Sequence, residues 1–200
     1  MDRVPGQANS RRDELLELAA TMFADRGLRA TTVRDIADGA GILSGSLYHH
    51  FSSKEEMVDE LLRGFLDWLF TRYAEIMGTE ANPLERLKGL FMASFEAIEH
   101  RHAQVVIYQD EAQRLSTQPR FSYIEDMNRQ QRKMWVEVIH QGIDEGYFLP
   151  ELNVDLVYRF IRDTTWVSVR WYQPGGPLTA EQVGQQYLAI VLGGITREGV

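Results

Sequence analysis

The chain has 200 residues, of which 44% are hydrophobic and 25% charged, and this suits one large soluble domain or two small ones. Cysteine is absent, which excludes a disulfide framework and a thiol nucleophile, and no apolar run reaches the roughly 18 residues of a membrane span. The net charge is −8, the first residues (MDRVPGQANSRRDE) carry no apolar signal core, and a cytoplasmic protein is expected.

The first ten residues hold Pro5, Gly6 and polar neighbours without an apolar face, and read as disordered. Arg11 and Arg12 open a first helix that runs to about Arg26, with Leu15, Leu18, Ala19, Met22 and Phe23 at helical spacing. These two arginines either touch a DNA backbone or are solvated. Gly27 ends the helix in the position that favours a left-handed residue.

The stretch TTVRDIADGAGILSGSLYHHFSSK, Thr31 to Lys54, reads as two short helices across a tight turn. Thr32 is placed to cap the first of them, and Val33, Ile36, Ala37 and Ala40 follow at helical spacing. Gly39 and Gly41 supply the turn. The second helix, about Ser44 to His50, turns Leu47 and Phe51 inward and presents Ser44, Ser46, Tyr48 and His49 outward. This is a helix-turn-helix whose second helix reads DNA. The candidate DNA contacts are Thr31, Thr32, Arg34, Ser44, Gly45, Ser46, Tyr48, His49 and Lys54.

A charge split supports that assignment. Residues 1–54 contain seven Arg/Lys and seven Asp/Glu, so the acidic excess lies wholly in the remainder. A neutral head attracts phosphate only modestly and with strong salt dependence. Base contacts and dimeric avidity must then supply specificity.

A long helix follows from about Lys54 to Met77, with Ser53 and Glu56 spaced as a capping box and a length of roughly 35 Å. GTEANP breaks the chain. Further helices are expected from Pro83 to His100, Ala103 to Glu111, Arg120 to Glu145, Val154 to Trp171 and Thr179 to Gly193, with a loop from Arg114 to Pro119. No strand alternation is present, and the fold class is all-α. The expected division is a DNA-binding domain at 1–54 and a ligand-binding and dimerisation domain at 55–200.

Within the second region Arg162, Trp166 and Arg170 fall at i, i+4 and i+8, forming a stripe beside Val157, Phe160, Ile161, Val167 and Trp171. Asp163 is a poor partner for Arg162, because adjacent helical side chains diverge. The arginines therefore need a carboxylate from another helix, a second subunit or an anionic ligand, and the guanidinium fork suits carboxylates and phosphates. Phe65, Trp68, Met92, Phe95, Tyr108, Met127 and Met134 are candidates for an apolar pocket, with plain core as the alternative. Trp171, Val183, Tyr187, Ile190 and Val191, with small residues Ala189, Gly193 and Gly194, suit a homodimer interface.

Enzyme readings fare poorly. There is no Gly-rich phosphate loop. His49-His50 and His100/His102 lack further ligands at zinc spacing, and Asp110-Glu111 reads as a solvated pair. No metal and no resident cofactor are expected.

The head resembles the DNA-binding domain of the TetR family of bacterial one-component repressors. The Thr-Val-x-x-Ile-Ala run from Thr32 to Ala37, the Gly-Ser-Leu-Tyr-His-x-Phe run from Gly45 to Phe51, and Lys54 carry the likeness. Leu43 and Ser44 depart from it, since family members usually have Ser or Thr at the first position and often Lys at the second. The resemblance implies a nine-helix architecture, a dimer and a palindromic DNA operator. The stretches GLFMASFEAIEH, VVIYQDEAQRLS and RFIRDTTWVSVRWYQPGGPLTAEQV resemble the KstR-type repressors of actinobacterial cholesterol breakdown. That likeness implies control of steroid-catabolism genes and release by a coenzyme A thioester of a steroid ring-degradation intermediate. The residues themselves imply only a large amphipathic anion. A regulator of another acyl-CoA or lipid pathway, or one whose ligand strengthens DNA binding, remains the alternative.

Overall fold

A computed structural model describes residues 5–196, and among them the secondary structure is helical apart from one isolated bridge between Phe148 and Thr196. The helices are α1 (Pro5–Arg26), α2 (Val33–Gly39), α3 (Ser44–Tyr48), α4 (Lys54–Met77), α5 (Pro83–His100), α6 (His102–Leu115), α7 (Tyr123–Asp144), α8 (Val154–Val167) and α9 (Ala180–Ile195). Two short 3-10 segments, Pro119–Phe121 and Ser168–Arg170, precede α7 and follow α8.

Local capping explains most boundaries. Thr32 and Asp35 form a full capping box on α2, and Thr179 and Gln182 form another on α9. Asn82 caps α5, whose first residue is Pro83. Gly27 (φ 83°) and Gly146 (φ 80°) take the left-handed conformation that ends α1 and α7. The cap on α4 is shifted from the expected box. Ser53 accepts from the Glu56 N–H, but the Glu56 carboxylate turns to the backbone N–H and hydroxyl of Ser52. Those two donors hold its pKa below the usual carboxylate value.

Four expected helix bounds are corrected. The helix at the N-terminus begins at Pro5, inside the stretch read as disordered; residues 1–4 of that stretch lie outside the described residues. Helix α6 extends to Leu115, because Leu115 is a buried anchor beyond the expected end at Glu111. Helix α7 starts at Tyr123, after a 3-10 turn that seats Phe121. Helix α8 stops at Val167, and Arg170 lies in a 3-10 segment, so the stripe of Arg162, Trp166 and Arg170 does not continue along one helix.

Two apolar cores result. The first joins Leu15, Phe23, Ile36, Leu47 and Phe51 of the head to Met57, Leu61 and Leu62 of α4, and also to Ile107, Leu115, Phe121 and Ile124. The second joins the rest of α4 to α5, α7, α8 and α9. Helix α4 runs through both. Along α9, Val183 (4% exposed) and Val191 (5%) face the chain's own core rather than outward, whereas Ile190 (69%) is open, as is Trp171 (52%) in the turn that follows α8; Tyr187 lies between, its ring on Phe95 and Trp171.

One close approach is decisive for the second core. A Cβ on Gly142 would lie 2.1 Å from two carbons of the fully buried Phe148 ring. The Gly142→Ala substitution gains about 1 kcal/mol of helix propensity. Overpacking costs roughly 1–3 kcal/mol, and a ring with no exit places this site at the upper end. The substitution is expected to lower the thermal midpoint by roughly 4–8 °C, at about 2–4 °C per kcal/mol for a chain of this size, measured by circular dichroism.

Candidate nucleic-acid interface and ligand cleft

The head presents a small polar face. Gly45, Ser46, Tyr48 and His49 are exposed, Ser44 is half-buried, and Leu47 is fully buried beneath them. Thr32 is exposed, but its hydroxyl is engaged with Asp35. Arg34 is exposed and lies 3.7 Å from Asp38. Leu43 stands at the N-cap of α3 with no side-chain cap, and is 80% exposed.

Two candidate contacts have internal duties. Thr31 is buried, and its hydroxyl bonds the carbonyls of Met22 and Gly27. The Lys54 ammonium donates to the carbonyls of Leu28 (2.7 Å) and Thr31 (3.0 Å), so it ties the end of α1 to the start of α4. Arg11 and Arg12 are likewise tied down rather than free. Arg11 donates to the Ala40 carbonyl at the end of α2. Arg12 forks onto Glu60 and lies over the Phe51 ring at 4.3 Å.

On the far side of α6 an open cleft of about 800 Å³ lies between α6, α7 and α8. Tyr108, Gln109, Ala112 and Gln113 form the α6 wall, with Gln131 and Tyr158 deeper and Trp166 on the α8 side. Three guanidiniums surround it: Arg162, Arg129 and Arg132. The volume falls within the range of ordinary ligand sites.

The cleft arginines are held by partial pairs. Contrary to the expectation of divergence, Arg162 folds back onto Asp163, with Nε 2.6 Å from the carboxylate; the long side chain spans the angle between neighbours. It also lies 5.7 Å above the Tyr158 ring. Arg132 pairs with Asp155 and Arg129 with Asp126, all on exposed surface. Such pairs are weak, about 0–1 kcal/mol, so an anion can replace either carboxylate at small cost.

Only some sequence candidates meet here. Arg162, Trp166 and Tyr108 line the cleft. Arg170 instead points to Asp110 at 3.3 Å. Phe65 lies behind the wall, its ring edge-on to Tyr108 and Trp166. Trp68 is stacked under Arg101, and Met127 and Met134 pack on the main core. Met92 and Phe95 sit against Gly184 and support α9. Sequence reasoning missed Arg129, Arg132 and Gln131. Their signal was a polar run on α7, which looks like any solvated face until α8 is placed opposite it.

The chain resembles known proteins along its whole length. Residues 15–61 match the family described as bacterial regulatory proteins, tetR family, and residues 80–195 match the tetracyclin repressor-like C-terminal domain. The chain is 86% identical, over the full length of both, to the HTH-type transcriptional repressor KstR2 of Mycobacterium tuberculosis, and 54% identical over 94% of its length and 92% of the relative to KstR2 of Rhodococcus jostii. A solved structure of the ketosteroid transcriptional regulator KstR2 of Mycobacterium tuberculosis superposes with a TM-score of 0.94 at 85% identity, covering 98% of this chain and 100% of that one. AibR in complex with isovaleryl coenzyme A and operator DNA shares the fold at 21% identity and a TM-score of 0.77, with 90% and 97% coverage.

The uncapped start of α3 generates a prediction. Leu43→Ser supplies the missing cap and is expected to stabilise the protein by about 1 kcal/mol in urea unfolding. Thr31→Val removes a hydroxyl whose one proton is shared between the Met22 and Gly27 carbonyls, and is expected to lower stability by roughly 1–3 kcal/mol in the same measurement. Tyr48→Ala is expected to leave stability within about 0.5 kcal/mol while weakening the DNA complex at least tenfold in a mobility shift.

Proposed function

This chain belongs to the TetR family of bacterial regulatory proteins and is a transcriptional repressor of that family rather than an enzyme, and from that premise we propose that a coenzyme A thioester of a steroid ring-degradation intermediate releases it from a palindromic operator. It acts in the cytoplasm, and the genes it controls serve cholesterol or steroid catabolism. The observation that carries the reading is the position of α6 between cleft and head. Tyr108, Gln109, Ala112 and Gln113 face the cleft, while Ile107 and Leu115 of the same helix are buried in the head's core. A ligand that reshapes the cleft wall therefore displaces side chains that pack the reading head.

The chemistry of the cleft favours an amphipathic anion. Arg162, Arg129 and Arg132 suit phosphates or the polar arm of a thioester. Tyr158, Trp166 and Tyr108 offer an aromatic wall for a fused apolar body. The steroid class is supported by the name of the 85%-identical structure, a ketosteroid transcriptional regulator.

The repressor works as a homodimer in this reading. Leu156, Phe160, Val167, Trp171 and Ile190 leave large apolar side chains exposed on α8, the following turn and α9. Covering such a face with a second copy sets two heads side by side, about one DNA turn apart. Release also requires the ligand to favour the state that does not fit DNA, because equal affinity for both states shifts nothing. A ligand that favours the bound state would strengthen repression instead, and the same assay reads that sign.

The test is a mobility shift on the DNA upstream of the protein's own gene, with and without the acyl-CoA. The expected result is a sequence-specific complex that dissociates as ligand rises. Absence of any specific complex would overturn the reading. Arg162→Ala should leave the DNA complex within about twofold and raise the ligand concentration for half-release at least tenfold; unchanged potency would remove Arg162 from the site.

A further inference from the structure

The most exposed large apolar side chain among the described residues stands on the reading head. Leu43 is 80% exposed and belongs to neither apolar core, whereas its neighbours Ile42 and Leu47 both pack on the head's core. A lone leucine on a protein surface ordinarily needs no explanation. This one differs in where it stands and in what it displaces.

Leu43 occupies the N-cap of α3 with φ −71° and ψ 145°, the extended conformation of a capping residue. Thr32, Ser53, Asn82, Asn153 and Thr179 hold the corresponding place on five other helices, and each accepts a backbone N–H through its side chain. Leucine has no acceptor, so α3 forgoes that bond. The backbone is nonetheless fixed on both sides. The Leu43 carbonyl accepts from the Ser46 N–H at 2.9 Å and the Leu47 N–H at 3.3 Å, and the Ile42 N–H donates to the Ala37 carbonyl at 3.0 Å. The isobutyl group is therefore held out from a firm support, at the same turn as the exposed Gly45 and Ser46.

We propose that Leu43 is a specificity-determining residue of the DNA complex and packs on the C5-methyl group of a thymine in the major groove. The inference rests on the helix-turn-helix assignment and is independent of which effector releases the protein. A helix-turn-helix sets the N-terminal residues of its second helix against base edges, which brings Leu43 to the bases. Leucine offers no hydrogen bond, so a phosphate or a purine edge gives it no partner. The thymine methyl is the apolar group that the major-groove edges present. Packing the two together removes apolar surface of both from water. Against cytosine the same side chain would cover the N4 donor without accepting from it, and a polar group desolvated without a partner is penalised. The contact selects thymine both by attraction and by exclusion. It also suits a neutral head, whose specificity must come from bases rather than from phosphate attraction.

The test uses the full chain and the upstream DNA of the mobility shift above, prepared once with thymine and once with uracil throughout, which removes only the C5 methyls. The wild type is expected to bind the thymine duplex more tightly by about fivefold or more, the order expected of one or two buried methyl groups. Leu43→Ala, an equally poor cap, should narrow that ratio to within about twofold by weakening the thymine complex alone. Leu43→Ser, the more stable variant, should lose the same preference, which separates base reading from stability; circular dichroism confirms that both fold. A wild-type ratio near one would overturn the proposal. So would a preference that persists in both variants, since other side chains then read the methyls. If the thymine duplex itself gives no specific complex, the operator reading fails first, and the proposal with it.

Discussion

The reading head cannot close its own core. Residues up to Lys54 supply Leu15, Phe23, Ile36, Leu47 and Phe51, but these are completed by Met57, Leu61 and Leu62 of α4 and by Ile107, Leu115, Phe121 and Ile124 beyond it. Small domains bury a low fraction of their surface and are marginal alone. Borrowing four residues from α6, the 3-10 turn and α7 fixes the head's orientation as well as its stability. Arg12 on Glu60 and Lys54 on the Leu28 and Thr31 carbonyls pin the same junction with polar contacts. A head that depends on α6 for its packing is sensitive to whatever moves α6.

The opposite end of α6 is tied to the cleft by different means. His102, its first residue, has Nε2 at 3.2 Å from the carbonyls of both Val169 and Tyr172. These belong to the 3-10 segment and turn after α8, the helix that carries Arg162 and Trp166. Glu99 at the end of α5 accepts from the Tyr172 hydroxyl and from the Ala180 N–H at the start of α9. Both donors hold the Glu99 carboxyl below its usual pKa, so this tie is present at neutral pH and is lost on acidification below the carboxylate range. The end of α8 is thus fastened to α6, α5 and α9 together. In the proposed release, displacement of α8 by a ligand reaches α6 through His102 and through the shared wall of Tyr108 and Trp166.

The sequence was most legible where structure is local. The bounds of α4 and α5 coincide with expectation, because Ser53 and Pro83 announce them. It was least legible where distant groups decide. Helix α8 looks continuous to Trp171 by its apolar residues, but Ser168 turns its hydroxyl back to the Thr165 carbonyl, and His102 from 67 residues away takes the Val169 carbonyl. The apolar positions of α9 gave a helix without saying which side belongs to its own core, so Val183 and Val191 were assigned outward. Among the cleft residues, Arg162 and Trp166 were visible because charge on an apolar stripe is costly. Arg129 and Arg132 were not, since arginines on a polar face carry no such anomaly.

Electrostatics adds a constraint on how the parts face DNA. The head is neutral, and the remainder carries the whole excess of −8. Long-range attraction is therefore weak, and at physiological salt a field beyond about 8 Å is screened in any case. In the proposed homodimer, affinity then rests on short contacts from the exposed face of α3, which carries Ser46, Tyr48 and His49, made twice over. Short contacts tolerate little misplacement. In the proposed release, a change in head spacing of a few ångströms removes them from one half-site without unfolding anything, and little charge attraction remains to hold the complex together. In that proposed release, the neutrality that weakens a single head also lets a modest displacement of α6 free the pair.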